Sequence, residues 1–166
     1  MPYLVKMDNQ VVLDVGAGTG NIAQLLPQST IYIGLDNDPK KLRGYKAKWP
    51  FGLAILGDAT RIGLKDKSVS YALCVDLAHH LSDNELSFLF RELARVVKQK
   101  LIFVDPIENK RSKMSNLLWK YDRGSHPRSP KALYSTMESW FEVEYIEHFA
   151  VYHHYILCIG IPKRQM

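Results

Sequence analysis

The sequence has few of the features that mark secreted, membrane-spanning or metal-binding chains. Only two of its 166 residues are cysteines, Cys74 and Cys158, and neither has a CxxC or histidine partner at zinc-site spacing. Both lie in apolar runs, so we expect small core residues in a reducing compartment. No run of about 18 apolar residues is present, and the amino terminus lacks the apolar segment of a secretory signal. We therefore expect a soluble cytoplasmic protein without a membrane span.

Runs that would divide the chain are also missing. No Pro, Gly or Ser run marks a linker, a repeat or a low-complexity tract, so residues 1–166 are expected to form a single domain. The net charge of +5 favours an anionic partner only modestly. Much of the basic charge is concentrated in one segment, which contains Lys110, Arg111, Lys113, Lys120, Arg123, Arg128 and Lys131.

What the chain does have is an alternation of apolar and amphipathic stretches. The apolar runs VVLDV, IYIGLD, LAILGD, VSYALCVD and KLIFVD are typical of buried strands, whereas NIAQLL, DPKKLRGYKAKW and SDNELSFLFRELARVVK have helical patterns. This alternation predicts an α/β fold, a doubly wound and mostly parallel sheet. Almost nothing separates FEVEYIEHFAV from HHYILCIGIPK, so the sheet is expected to end in a C-terminal antiparallel hairpin.

Capping signals mark three helix starts. They are Asp38 before Pro39, Ser82 with Glu85 three residues later, and Ser129 before Pro130. The last of these helices is expected to cover roughly Pro130 to Trp140. The stretch from Asp58 to Val69 is too short for a full helix, so we expect a turn there.

A glycine-rich turn follows the first apolar run, in VVLDVGAGTGN. Gly16, Gly18 and Gly20 give G-x-G-x-G, with Asn21 where the dinucleotide fingerprint needs its third glycine, and no Gly-Lys-Ser/Thr of a P-loop follows. Asp14 precedes the turn and suits a cationic group better than a pyrophosphate. A phosphate ligand is therefore disfavoured.

Acidic residues end the next two predicted strands. Asp36 lies about twenty residues after the turn, where a carboxylate can accept hydrogen bonds from ribose hydroxyls. Asp58 follows the third strand. Together with Asp14, these acids indicate a ligand that has an amine, a ribose and a base but no phosphate.

The sequence around these residues resembles that of class I S-adenosylmethionine-dependent methyltransferases, a Rossmann-like family. The similarity lies in LDVGAGTG (Leu13 to Gly20), GLDND (Gly34 to Asp38), GDA (Gly57 to Ala59) and LAHHLSD (Leu77 to Asp83). The stretches RELARVVK and LIFVDP and the terminal hairpin extend it over nearly the whole chain.

The resemblance implies S-adenosylmethionine as the cofactor and S-adenosylhomocysteine as its product. It also implies cofactor contacts: Asp14 near the amine, Gly16, Ala17, Gly18 and Gly20 along the methionine part, Asp36 at the ribose, Asn37, Asp58 and Ala59 around the adenine, and Asp76 and Leu77 under the sulfonium.

Candidate catalytic residues follow the fourth and fifth strands. The resemblance places His79 and His80 at the mouth of the site, where one of them would accept a proton from the methyl acceptor, and Asp105 faces the same crevice. The alternative is that a histidine packs or caps the next helix and that Asp105 makes a turn. The tetrad Asp76-Leu77-Ala78-His79 disfavours enzymes that methylate the amines of nucleic-acid bases, and no metal site is expected.

The segment from Glu108 to Lys131 is where the family places acceptor recognition. We expect a short helix around Met114 to Tyr121 and then a loop. Arg123, His126 and Arg128 are candidate substrate-binding residues for an anionic group on the acceptor. The alternative is that these charges form a solvated face.

Only about ten residues precede the first strand, so the N-terminal lid typical of the family is missing from the pattern. A homodimer is one way to cover the site. The expected function is methyl transfer to a small-molecule acceptor with an O, N or C nucleophile. Two alternatives stay open: an RNA methyltransferase that uses the basic segment 110–131, and a non-catalytic S-adenosylmethionine-binding module.

Overall fold

A seven-stranded sheet lies at the centre of the protein. The computed structural model describes residues 7–108, 126–151 and 153–164. Its strands are β1 (Val11–Val15), β2 (Ile31–Asp36), β3 (Leu53–Leu56), β4 (Val69–Val75), β5 (Val97–Ile107), β6 (Phe141–Ala150) and β7 (His154–Pro162). Its α-helices are α1 (Pro39–Lys48), α2 (Asp83–Val96) and α3 (Pro130–Glu138), and short 3-10 helices cover Ala23–Leu25 and Ala78–His80.

The strand order is β3-β2-β1-β4-β5-β7-β6. Strands β1 to β5 are parallel, while β7 runs antiparallel to both β5 and β6. The predicted doubly wound sheet with a terminal hairpin is therefore confirmed. The chain leaves β1 toward β2 on one side and enters β4 on the other, which opens a crevice at the carboxyl ends of β1 and β4, the usual ligand position in such sheets.

The predicted helix caps are confirmed. The side chains of Asp38 and Ser129 each accept a hydrogen bond from a backbone N–H in the first turn of α1 and α3. Ser82 and Glu85 form a complete capping box at the start of α2. Helix α3 ends at Glu138, two residues before the predicted Trp140. These caps satisfy N–H groups that have no partner within the helix.

The stretch NIAQLL is not an α-helix, contrary to its helical pattern. It contains only the single 3-10 turn Ala23–Leu25. Pro27 explains the difference, because a proline pushes the residue before it out of the helical region. Leu26 accordingly has φ −92° and ψ 153°, an extended conformation. The connection from β1 to β2 is therefore mostly irregular chain with one short 3-10 helix.

The linker between β3 and β4 has no helix, as predicted. Side chains from α2 hold it instead. Glu92 accepts a hydrogen bond from the Ile62 N–H at 2.8 Å, and Arg95 donates to the carbonyls of Ile62 and Leu64, both at 2.8 Å. The hydrogen bond from Arg95 lowers the pKa of Glu92. The Glu92–Arg95 ion pair on α2 therefore anchors this linker to the rest of the protein.

Both cysteines lie in the core, as predicted. Cys74 on β4 and Cys158 on β7 are free thiols and buried. Within the described ranges, no helix is both long and apolar enough to cross a membrane.

Candidate active site

The glycine-rich turn follows β1 and depends on left-handed backbone. Gly16, Gly18 and Gly20 have φ values of 77°, 54° and 74°, which glycine adopts without the penalty that a side chain brings. The N–H groups of Gly16 and Ala17 both donate to the Leu35 carbonyl, at 2.8 and 3.0 Å. The turn is therefore fastened to the end of β2.

One side of this turn is tightly packed and the other is open. A Cβ on Gly20 would lie 2.6 Å from Tyr45 Cδ2 and 2.9 Å from Trp49 Cδ1, and the Trp49 indole donates to the Gly20 carbonyl at 2.9 Å. A Cβ on Gly18 would meet no atom within 4 Å. Because the backbone is bare and space lies beside Gly18, a ligand can approach the main chain closely there.

Asp36, at the end of β2, holds the turn from the other strand. Its two carboxylate oxygens accept from the N–H groups of Gly18 and Asp38, both at 2.9 Å, and the residue is 4% exposed. Each carboxylate oxygen can accept one more hydrogen bond. The side chain predicted to meet a ribose thus also shapes the glycine turn.

Asp14 is a buried residue of β1, and its side chain lies on the face of the sheet that carries Tyr32. It is 2% exposed, and its carboxylate accepts a hydrogen bond from the Tyr32 hydroxyl. Burial raises the pKa of Asp14 to about 6, although the Tyr32 hydrogen bond opposes the shift. A cation near this carboxylate would favour its charged form.

This raised pKa predicts a pH dependence of stability. Between about pH 4 and pH 6 the unfolded chain releases the Asp14 proton while the folded chain retains it, so the free energy of unfolding should fall as the pH rises. The fall amounts to roughly 3 kcal/mol over that range. Asp14→Asn removes the titration, so the variant should gain stability relative to wild type as the pH rises. Urea unfolding of both proteins at several pH values measures the difference, and parallel curves would contradict the prediction.

The residues predicted around an adenine lie at the carboxyl ends of β2 and β3. Asn37 is exposed directly after Asp36, and Ala59 is partly buried. Asp58 is exposed, and its Oδ1 accepts from both the N–H and the hydroxyl of Thr60 at 2.8 Å. These two hydrogen bonds hold the Asp58 carboxylate toward Thr60.

Residues after β4 bring Leu77, two positions before His79, against the glycine turn. Asp76 has φ 53°, a left-handed conformation that is costly outside glycine, and its N–H donates to the Val104 carbonyl at 3.0 Å. Leu77 follows and packs against the turn, since a Cβ on Gly16 would lie 3.1 to 3.3 Å from its side chain. The sharp bend at Asp76 thus directs the chain across the end of the sheet.

His79 and Asp105 form a buried pair. His79 Nδ1 lies 3.2 Å from Asp105 Oδ1, with the two residues 4% and 1% exposed. Asp105 Oδ1 also accepts from the Ala78 N–H at 2.9 Å. Burial raises the pKa of Asp105, while the hydrogen bond with His79 opposes the rise. His80 is exposed, and its ring centroid lies 4.1 Å from that of His79.

Arg128, predicted to bind an acceptor, points into the protein. It is 8% exposed, and its guanidinium donates to the carbonyls of Ala78, at 2.8 Å, and Leu81. Its Nε donates to Asp83 at 2.8 Å. The guanidinium is thus hydrogen-bonded within the protein. We therefore assign Arg128 to stabilising the turn of residues 78–81, the histidine turn, and not to binding an anionic acceptor.

His126 lies beside the same turn. Its backbone N–H donates to the His79 carbonyl at 3.0 Å, and its side chain is partly exposed. The predicted helix around Met114 to Tyr121 and the candidate Arg123 lie outside the described residues. Among the residues that are described, no group of three or more His, Cys, Asp or Glu side chains is placed to hold a metal ion.

Arg128→Lys is expected to destabilise the protein by about 2–4 kcal/mol. A lysine has one compact ammonium and cannot reach two carbonyls and a carboxylate in the fork geometry of arginine, so the carbonyls of Ala78 and Leu81 lose charge-assisted hydrogen bonds in a buried setting. Chemical unfolding of the variant beside wild type measures the loss. Lys131→Ala, on the exposed side of α3, is the matched control and should change little. A loss of less than about 0.5 kcal/mol at Arg128 would contradict the assignment.

The geometry agrees with comparisons to known proteins. A family model described as "Methyltransferase domain" matches residues 12–100. The chain belongs to this methyltransferase family. The match runs from β1 into β5 and includes the glycine turn, the acidic strand ends and the histidine turn. The predicted resemblance to class I S-adenosylmethionine-dependent methyltransferases is confirmed.

Similar proteins include a demethylmenaquinone methyltransferase of Thermotoga maritima, 29% identical over 100 residues, which are 58% of this chain and 43% of the relative. The chain thus matches less than half of that relative's length. A SAM-dependent methyltransferase of Methanosarcina mazei has the same fold, with TM-score 0.85, 16% identity and coverage of 98% and 97% of the two chains. Magnesium protoporphyrin IX methyltransferase of Synechocystis PCC 6803, with bound SAM, gives TM-score 0.72, 16% identity and coverage of 95% and 72%.

Two features of the methyltransferase site escaped sequence reasoning. Tyr32 bonds Asp14, and the alternation of strand faces places both on one face once Asp14 is paired with Gly34. Trp49 fixes the last glycine of the turn from the end of α1. The Tyr32 contact follows from the register, whereas no signal in the sequence indicates the Trp49 contact.

Proposed function

We propose that this methyltransferase transfers the methyl group of S-adenosylmethionine to a small-molecule acceptor and that His79 receives the acceptor's proton. The observation that carries the proposal is the buried His79–Asp105 pair, which Leu77 connects to the open glycine turn. Because His79 follows Leu77 by two residues, this arrangement supports a proton acceptor close to the bare main chain of the glycine turn.

The residues around the glycine turn fit S-adenosylmethionine. The space beside Gly18 admits the methionine part along the backbone, and the remaining acceptor sites of Asp36 suit ribose hydroxyls. Asp14, buried below the turn, favours an ammonium nearby. When bound, this cofactor supplies an electrophilic methyl group whose transfer leaves a neutral sulfide.

The chain's own contribution to the reaction is orientation and proton transfer. An ionised Asp105 accepts only, so it selects the His79 tautomer with hydrogen on Nδ1 and makes Nε2 the basic nitrogen of the ring. Nε2 then takes the proton of an O–H, N–H or C–H acceptor as the methyl group arrives. The surrounding burial excludes water, and alignment of the two reactants contributes further.

A small-molecule acceptor is supported by the Thermotoga maritima relative, whose name gives demethylmenaquinone as its substrate. The RNA alternative depended on segment 110–131. The described part of that segment does not favour it, because Arg128 is committed to the histidine turn.

The test is a screen of acceptors with release of S-adenosylhomocysteine as the readout. Phenols, hydroquinones, carboxylic acids and amines are incubated with the protein and S-adenosylmethionine, with structured RNA as a comparison. Turnover with at least one small molecule, lost in His79→Asn, is the expected result. Turnover with RNA alone would contradict the proposal.

A further inference from the structure

Strand β3 forms one edge of the sheet. It stands at one end of the strand order, and among the described residues it pairs with β2 alone. Its sequence Leu53–Leu56 is LAIL, with Leu53 54% and Leu56 62% exposed. Edge strands usually carry charges or proline that block further pairing. The opposite edge, β6, is protected in that way by Glu142, Glu144 and Glu147, whereas β3 has no such residue.

An apolar surface continues from β3 toward the amino end of the sheet. Phe51 is 98% exposed and Ile31 is 51% exposed. Beside them is a cavity of about 620 Å³, whose lining includes Tyr32, Trp49, Phe51 and Leu53. Exposed apolar surface of this kind, next to open backbone hydrogen-bonding groups, is typical of a protein interaction site. We refer to Ile31, Phe51 and Leu53–Leu56 as the β3 face.

On the α1 side of the β3 face, the charge is of one sign. Helix α1 packs against β2 and β3, and no acidic residue occurs between Pro39 and Gly57. The exposed cations of α1 are Lys40, Lys41, Arg43, Lys46 and Lys48. Lys46 Nζ lies 2.8 Å from the carbonyls of Pro50 and Gly52, directly before β3.

The basic charge of α1 favours some binding partners of the β3 face over others. In a symmetric pair of copies joined at β3, each basic α1 would lie close to the basic α1 of the other copy, and like charges at an interface disfavour association. A nucleic acid would match the charge but has no apolar strand to pair with β3. An acidic polypeptide in extended conformation matches both properties.

We propose that the β3 face binds an extended, acidic segment of a partner protein. The segment adds an eighth strand through main-chain hydrogen bonds with β3 and places one large apolar side chain in the cavity beside Trp49 and Phe51. Its acidic side chains face the cations of α1. The residues of the β3 face differ from those of the proposed methyl-transfer site, so binding there is a function separate from methyl transfer. Only the cavity lining is shared, because Tyr32 and Trp49 also contact Asp14 and Gly20 of that site.

The test uses labelled peptides of about ten residues and fluorescence anisotropy. One peptide alternates glutamate with valine and has a central phenylalanine. A second has lysine in place of glutamate, and a third has the acidic sequence with N-methyl groups on alternate amides. The acidic peptide should bind at least about ten-fold more tightly than either comparison peptide. Its affinity should fall as salt is raised from about 50 to 300 mM.

Leu53→Glu and Leu56→Glu should each weaken binding of the acidic peptide by about ten-fold or more. Val151→Glu, at a residue 69% exposed near the opposite edge, is the matched control and should bind normally. Unchanged thermal unfolding and S-adenosylhomocysteine affinity would show that the two leucine variants are folded. Equal binding of the three peptides, no binding up to about 1 mM, or unchanged binding by both leucine variants would overturn the proposal. So would sedimentation showing that the β3 face joins two copies of this chain.

Discussion

His79→Asn should slow methyl transfer by about 10²- to 10⁴-fold at neutral pH, the usual contribution of a positioned proton acceptor. Asparagine keeps a polar group near Asp105 but has no basic nitrogen, so the loss should appear in kcat. Affinity for S-adenosylhomocysteine should be nearly unchanged. The measurement is the initial rate of S-adenosylhomocysteine release with an acceptor found in the screen, together with calorimetric titration of the product.

His80→Asn is the matched control for this prediction. His80 has the same side chain on the same turn but is exposed, whereas His79 is buried against Asp105. Asp105→Asn should reproduce most of the His79 effect, because the positioning partner of the imidazole is then no longer anionic. A rate that depends on His80 and not on His79 would reverse the assignment, and equal rates in all the variants would remove proton transfer from the mechanism.

Gly18→Val should weaken S-adenosylmethionine binding by about 100-fold. The new side chain would occupy the space beside the turn, where a ligand must approach the backbone, and loss of close hydrogen bonds there costs about 1–3 kcal/mol each. The residue has φ 54°, so a stability loss of about 1–2 kcal/mol should accompany the binding defect. Equilibrium dialysis with labelled cofactor measures the first effect and thermal unfolding the second.

Two other glycines separate these effects. A Cβ at Gly63 also meets nothing within 4 Å, but its backbone is not left-handed, so Gly63→Val should bind the cofactor normally. Gly20→Ala would place its methyl group against Tyr45 and Trp49 and should destabilise the fold more than Gly18→Val does. Wild-type affinity in a folded Gly18→Val protein would mean that the ligand lies elsewhere.

Much of the architecture could be predicted from local patterns. Continuous apolar runs separated by capped amphipathic helices determine a parallel sheet, because strands buried on both faces have no polar side. The glycine spacing predicted the turn, since only glycine adopts its left-handed positions without penalty. The helical pattern of NIAQLL was misleading, and Pro27 was the signal that a full helix could not form there.

The details of the site were less predictable because they depend on contacts between distant residues. A basic run such as 110–131 does not indicate which arginine turns inward, because the carbonyls that Arg128 meets, those of Ala78 and Leu81, are distant from it in the sequence. The left-handed backbone of Asp76 likewise leaves no mark on the sequence. The parallel register of β4 and β5 brings Asp105 to the end of β4, and the turn after Asp76 then brings His79 against it.

Calorimetric titration of the wild-type protein with S-adenosylhomocysteine tests most directly whether the glycine turn and its neighbouring acids bind an adenosyl-sulfur ligand. We expect saturable binding of one molecule per chain, with a dissociation constant of about 1–100 μM. Competition by S-adenosylmethionine and loss of the heat in Gly18→Val should follow. Absence of binding by folded wild-type protein up to about 1 mM would contradict the account.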